Sequence, residues 1–106
     1  MTLLNLGYGA PWCNSENFSG QQADQEISST PGVVEAIIIG VAGDASSTVE
    51  LFDNGVSGTK KLKLSGAAAR EIPLGSRGVK CATDIHVKTV DGGGTMDVTV
   101  IYRSVP

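Results

Sequence analysis

Thr95-Met-Asp-Val-Thr-Val-Ile-Tyr-Arg103 is the stretch that decides the fold. Met96, Val98, Val100 and Tyr102 point one way, while Asp97, Thr99 and Arg103 point the other. A strand with one buried and one wet face has this period of two. Just upstream, Asp84-Ile-His-Val-Lys-Thr-Val90 places Ile85 and Val87 together on one face. Asp91-Gly-Gly-Gly94 then supplies the positive backbone angles of a tight reversal, so the two segments read as a hairpin.

The alternation extends back to Val33. Val33–Ala42, Thr48–Asp53, Thr59–Ser65, Ala69–Pro73 and Val79–Ala82 precede the closing pair. They are parted by Gly43-Asp44, Asp53-Asn54-Gly55, Ser65-Gly66 and Gly75-Ser76, at the spacing of sandwiches and barrels. Val33-Val-Glu-Ala-Ile-Ile-Ile-Gly-Val-Ala42 is apolar on nearly both faces. That fits a central strand covered on one side by a second sheet and on the other by the leading segment or a neighbouring subunit. The expected fold is all-β, an antiparallel β-sandwich, jelly-roll-like or Ig-like, of about 7–8 strands with an extended N-terminal arm.

Residues 1–32 differ in kind from the sandwich portion, 33–106, and the boundary sits at Pro31-Gly32. Alternation is weak in this arm, Gly and Pro interrupt it, and one strand is expected around Gln25–Ser28. Its apolar residues are Leu3, Leu4, Leu6, Tyr8 and Trp12. Two readings stand for them: anchors for a partner, since Tyr and Trp are favoured at interfaces, or a cover folded back over the sandwich.

At 106 residues the chain is one domain that can bury a core without a metal or several disulfides. Fourteen Gly and 5% aromatics fit strands and turns around a core of Val, Ile, Leu and Ala, with little helix. A net charge of −3 gives no long-range attraction for phosphate backbones, so nucleic acid is not the expected partner. No apolar run reaches the ~18 residues of a membrane span, and no basic flank with an apolar core marks a secretion signal. Synthesis in the cytoplasm, with no membrane partner, is therefore expected.

Cys13 and Cys81 match no metal motif, and one His does not complete a ligand set. Either a single disulfide between arm and sandwich or two semi-buried thiols fits the pair. His86 lies on the face of Asp84 and Lys88, but no Gly-x-Ser-x-Gly elbow or comparable nucleophile accompanies it. Gly7-Tyr-Gly9 and Asp91-Gly-Gly-Gly94 match no phosphate-binding or dinucleotide fingerprint and read as turns. No catalytic residue, metal or cofactor is assigned. Lys60, Lys61 and Lys63 form the basic cluster; Lys61 and Lys63 share one strand face, with Lys60 on that of Leu62 and Leu64. They either meet an acidic partner or blunt an edge strand, and both readings place this strand at a sheet edge.

Ile38 to Ala42, Val49-Glu-Leu-Phe-Asp-Asn-Gly-Val-Ser-Gly58, Ile72-Pro-Leu-Gly75 and Met96-Asp-Val-Thr-Val-Ile-Tyr102 resemble small virion structural proteins of tailed bacteriophages, of the capsid decoration, cement or head-fibre type. The resemblance spans residues 33 to 103 and leaves the arm unmatched. It implies a non-enzymatic subunit made in the host cytoplasm and resident in the virion, bound to the major capsid protein or other virion proteins. A homo-oligomer, dimer or trimer, is expected. The binding residues would be Leu3, Leu4, Leu6, Tyr8 and Trp12, with Lys61 and Lys63 secondary. A head–tail junction subunit, or a tail or fibre component that adapts or binds host glycan, is the alternative.

Overall fold

The computed structural model describes residues 13–104. Nine strands run through them in chain order: β1 (Cys13–Ser19), β2 (Gln25–Ser28), β3 (Gly32–Val41), β4 (Thr48–Asp53), β5 (Thr59–Ser65), β6 (Arg70–Pro73), β7 (Val79–Cys81), β8 (Ile85–Val90) and β9 (Asp97–Ser104). Sheet A has the order β1-β9-β3-β6, with β7 continuing along the same side of β3, and sheet B the order β2-β8-β4-β5. Every pairing is antiparallel.

The pairings are nested. β4 meets β5, β3 meets β6 and β7, β2 meets β8, and β1 meets β9, so the chain is one long antiparallel ribbon folded at residues 54–58. Rolling that ribbon brings β9 against β3 and β8 against β4, which is the order of a jelly roll. The fold is thus the all-β sandwich expected, and of the two forms anticipated it takes the rolled one.

Alternating side chains of both sheets meet between them. Phe18, Val34, Ile37, Ile39, Cys81, Val98 and Val100 from sheet A pack with Ile27, Val49, Leu51, Ile85 and Val87 from sheet B, and Met96 joins them from the turn. Each such side chain contributes about 1.5–3 kcal/mol by leaving water. The ribbon folds at the loop 54–58, where Asn54 and Gly55 have φ of 69° and 75° and the Gly58 N–H donates to the Gly55 carbonyl at 3.0 Å.

Two expectations are corrected. β8 and β9 do not pair with each other: β8 lies in sheet B and β9 in sheet A, so the Asp91–Thr95 turn crosses between the layers. The Asp91 carboxylate accepts the Met96 N–H at 2.6 Å and the Gly93 N–H at 3.2 Å, and this closes the crossing. The arm also ends sooner than Gly32. Cys13–Ser19 forms an edge strand whose Phe18 enters the core, and Gln25–Ser28 is the strand expected there. Of the two readings left open for the cysteines, the structure has the thiols and no disulfide: Cys81 faces the core while Cys13 lines the outside of the same sheet.

Candidate partner-binding surface

The outer face of sheet A carries apolar side chains that the sandwich does not use. β3 has a bulge between Val34 and Ala36, so Val34, Ile37 and Ile39 face inward while Val33, Ala36 and Ile38 face out. On β9 the outward position between Thr99 and Arg103 is Ile101, which pairs with Ala36 on β3 and Ser15 on β1. Ala36, Ile38 and Ile101 floor a slot of about 330 Å³, with Cys13, Asn14 and Ser15 along one side and Glu71 at the other rim. Burial, then the nearby Glu35 carboxylate, raises the Cys13 thiol above its ordinary pKa.

Polar groups bound the slot at both ends. Toward the Ser19 end, the Asn17 amide donates to Asp97 Oδ1 at 2.7 Å and Thr99 Oγ1 at 2.9 Å. Toward the other, Arg103 Nε is paired with the Glu35 carboxylate. These groups are satisfied by one another, and the strip between them is apolar, with Ile38 and Ile101 half-buried and Ala36 buried.

Sheet B presents the opposite chemistry. The outer position of β4 is Phe52, only 6% exposed, with Lys60 Nζ 5.8 Å from its ring centroid. Glu50 lies beside it between Lys60 at 3.3 Å and Lys63 at 3.8 Å. Next along the face, His86 Nδ1 is 2.6 Å from Asp24, and its Nε2 is 3.4 Å from Asp84 and 3.7 Å from Glu26. Burial disfavours the imidazolium, but the hydrogen bond and charge of Asp24, with Asp84 and Glu26, outweigh it and raise the pKa. This face is tiled by ion pairs.

Two aspartates tie the β4–β5 loop to the crossing between β7 and β8. Asp53 accepts the N–H groups of Ala82 and Thr83, both at 2.9 Å, and Asp84 accepts those of Asn54 and Gly55 at 2.8 and 3.1 Å. Burial opposes ionisation of Asp53, yet these backbone donors and Lys61 win and lower its pKa. Asp44 is lowered by the hydroxyls of Ser46 and Ser47, and Asp91 by the Met96 N–H first and then, against its desolvation, by Ser47. Among the described residues, no group of three His, Cys, Asp or Glu is arranged to hold a metal ion.

Leu3, Leu4, Leu6, Tyr8 and Trp12 lie outside the described residues. Lys61 and Lys63 lie on β5, which is an edge strand of sheet B as expected. The facing of Lys60 is corrected: a register shift at Leu51/Phe52 sets Lys60 opposite Phe52 and lets it share Glu50 with Lys63, while Leu62 and Leu64 pack on the core. Sequence reasoning missed Ile38 and Ile101 as surface candidates. Their signal was present in the two-faced apolarity of β3 and in an isoleucine standing at an outward position of β9. No protein-family model matches the chain, and neither the curated proteins nor the solved structures yield a match.

Proposed function

We propose that this protein is a non-enzymatic virion structural protein, a capsid decoration or cement subunit that binds the outer capsid lattice. The contact is made by sheet A with its apolar slot, by the leading segment carrying Leu3, Leu4, Leu6, Tyr8 and Trp12, and by strand edges, with Lys61 and Lys63 in a secondary role. The observation that carries this reading is the contrast between the two outer faces: sheet A keeps an apolar strip on its outside, whereas ion pairs occupy that of sheet B. A rolled sandwich is a form used by viral capsid domains, which supports the reading by analogy.

Small rigid subunits on a repeated lattice gain from many weak contacts, and a homo-oligomer, dimer or trimer, multiplies them. The glycan-binding alternative needs aromatic rings on the surface for sugar stacking. Phe18 and Phe52 are buried and Tyr102 packs against the core, so the described residues do not favour it.

The test is the copy number and position of the chain in purified particles from the host that encodes it, by quantitative mass spectrometry and antibody labelling. Many copies spread over the shell are expected. A complement confined to one vertex would assign the chain to the head–tail junction or tail, and absence from particles would end the proposal.

A further inference from the structure

We propose that Asn54-Gly55 is a site of spontaneous modification, where the Asn54 side chain closes on the Gly55 nitrogen and the linkage becomes an isoaspartate, and that the Asp84 carboxylate restrains this reaction in the folded protein. Among the described residues, Asn14 and Asn17 precede Ser15 and Phe18 inside β1, whereas Asn54 is exposed and precedes a glycine in the loop where the ribbon folds. Glycine has no Cβ to obstruct the approach of its nitrogen to the neighbouring side chain. The space is open as well, since a Cβ at position 55 would meet nothing within 4 Å.

The reaction needs only water. Hydroxide removes the Gly55 amide proton, the nitrogen forms a bond to Asn54 Cγ, and the side-chain nitrogen leaves as ammonia after taking a proton from water, which regenerates hydroxide. Water then opens the five-membered imide at one of its two carbonyls. Opening on one side restores the original peptide bond and leaves aspartate; opening on the other leaves isoaspartate, with the chain running through the side-chain carbon.

The fold holds the nucleophile in its protonated form. Asp84 Oδ1 accepts the Asn54 N–H at 2.8 Å and the Gly55 N–H at 3.1 Å. A carboxylate so placed stabilises the neutral amide and opposes negative charge on its nitrogen, as a hydrogen bond to the neutral form and a like charge do for any ionising group. The Gly58 N–H holds the Gly55 carbonyl at 3.0 Å, so rotation that would bring Cγ onto the nitrogen is resisted from both sides. Asp84 belongs to the crossing between β7 and β8, and the restraint lasts while the loop stays docked there. The imide nitrogen carries no hydrogen and isoaspartate lengthens the backbone by a methylene, so the completed reaction breaks that tie. The modification therefore records opening at this end of the sandwich. It concerns the free protein and does not depend on the decoration reading.

The experiment incubates the full chain at mildly alkaline pH, folded and in guanidinium chloride. Peptide mass spectrometry follows the replacement of –NH2 by –OH at Asn54, and fragmentation distinguishes isoaspartate from aspartate. The folded protein is expected to react at least about tenfold more slowly than the denatured chain. Asp84→Ala is expected to bring the folded rate to within about threefold of the denatured one. His86→Gln leaves both N–H groups on Asp84 and is expected to keep the wild-type rate. Should Asp84→Ala lose its β-sheet circular dichroism, Asp84→Ser takes its place with the same expectation. No conversion at Asn54 in the denatured chain would overturn the site. Equal wild-type rates in the two states, a wild-type rate in a folded Asp84 variant, or equal acceleration by His86→Gln would overturn the restraint.

Discussion

Val98 and Thr99 are neighbours on β9 and face opposite media. Val98 is 1% exposed in the core between the sheets, whereas Thr99 lies on the outer side of sheet A beside Asn17. Val98→Asp buries a carboxylate with no partner and is expected to cost more than about 4 kcal/mol, which unfolds most of the protein. Thr99→Asp is expected to stay below about 1.5 kcal/mol. Urea titration of both variants checks this, and comparable losses would mean that the facing of β9 is inverted. This facing was legible in Thr95–Arg103 because burial alternates with the pleat. The partners of His86 were legible only in part: Asp84 is two residues away, but Asp24 and Glu26 come from the opposite side of the β2–β8 pairing, 62 and 60 residues distant in sequence.

Strands and turns make up the next scale, and there the interruption between β6 and β7 is the informative feature. Both strands run along β3, and the turn parting them holds Gly75 and Gly78 with φ of +85° and +69°. The positions differ in their surroundings. A Cβ at Gly78 would come within 2.6 Å of the Val34 carbonyl oxygen and of Val33 Cγ1, while one at Gly75 meets nothing within 4 Å. Gly78→Ala is therefore expected to cost about 2–3 kcal/mol, from backbone strain plus a clash that β3 has no room to relieve. Gly75→Ala carries the strain alone, about 1 kcal/mol. Equal losses in thermal or urea melts would place the turn elsewhere. Strand positions from β2 to β9 were readable from alternation and turn residues, but partnership was not. Asp91-Gly-Gly-Gly94 marks a tight reversal equally well whether the chain returns along its own sheet or crosses to the other.

For the molecule as a whole, the titratable groups define a pH window of maximum stability. Asp44, Asp53 and Asp91 have lowered pKa values in the folded state, so their contribution is complete above the unfolded value of 3.8 and disappears as pH falls through the folded values. His86 has a raised value, so its contribution is complete below the unfolded value of 6.5 and disappears as pH rises through the folded value. Stability is expected to be greatest between these limits. His86→Gln should flatten the decline above pH 6.5 and leave the acid limb in place, as read by chemical denaturation across the range. An unchanged alkaline limb would show that the imidazole is not held by its three carboxylates. The same two-sided construction underlies the functional proposal, because ion pairs satisfy the outside of sheet B and leave sheet A as the face with apolar surface to cover.

By itself the sequence determined that this chain is all-β, where eight of its strands run, and which side chains enter the core. Those properties follow from local alternation and from residues that tolerate turns, and each is written within a few neighbouring positions. Only the tertiary structure decided that the strands are rolled into two sheets, that Cys13–Ser19 closes an edge of one of them, and that Ile38 and Ile101 come together outside. Antiparallel partners are chosen by shape and burial across long sequence distances, and no residue pattern along one strand names the strand beside it.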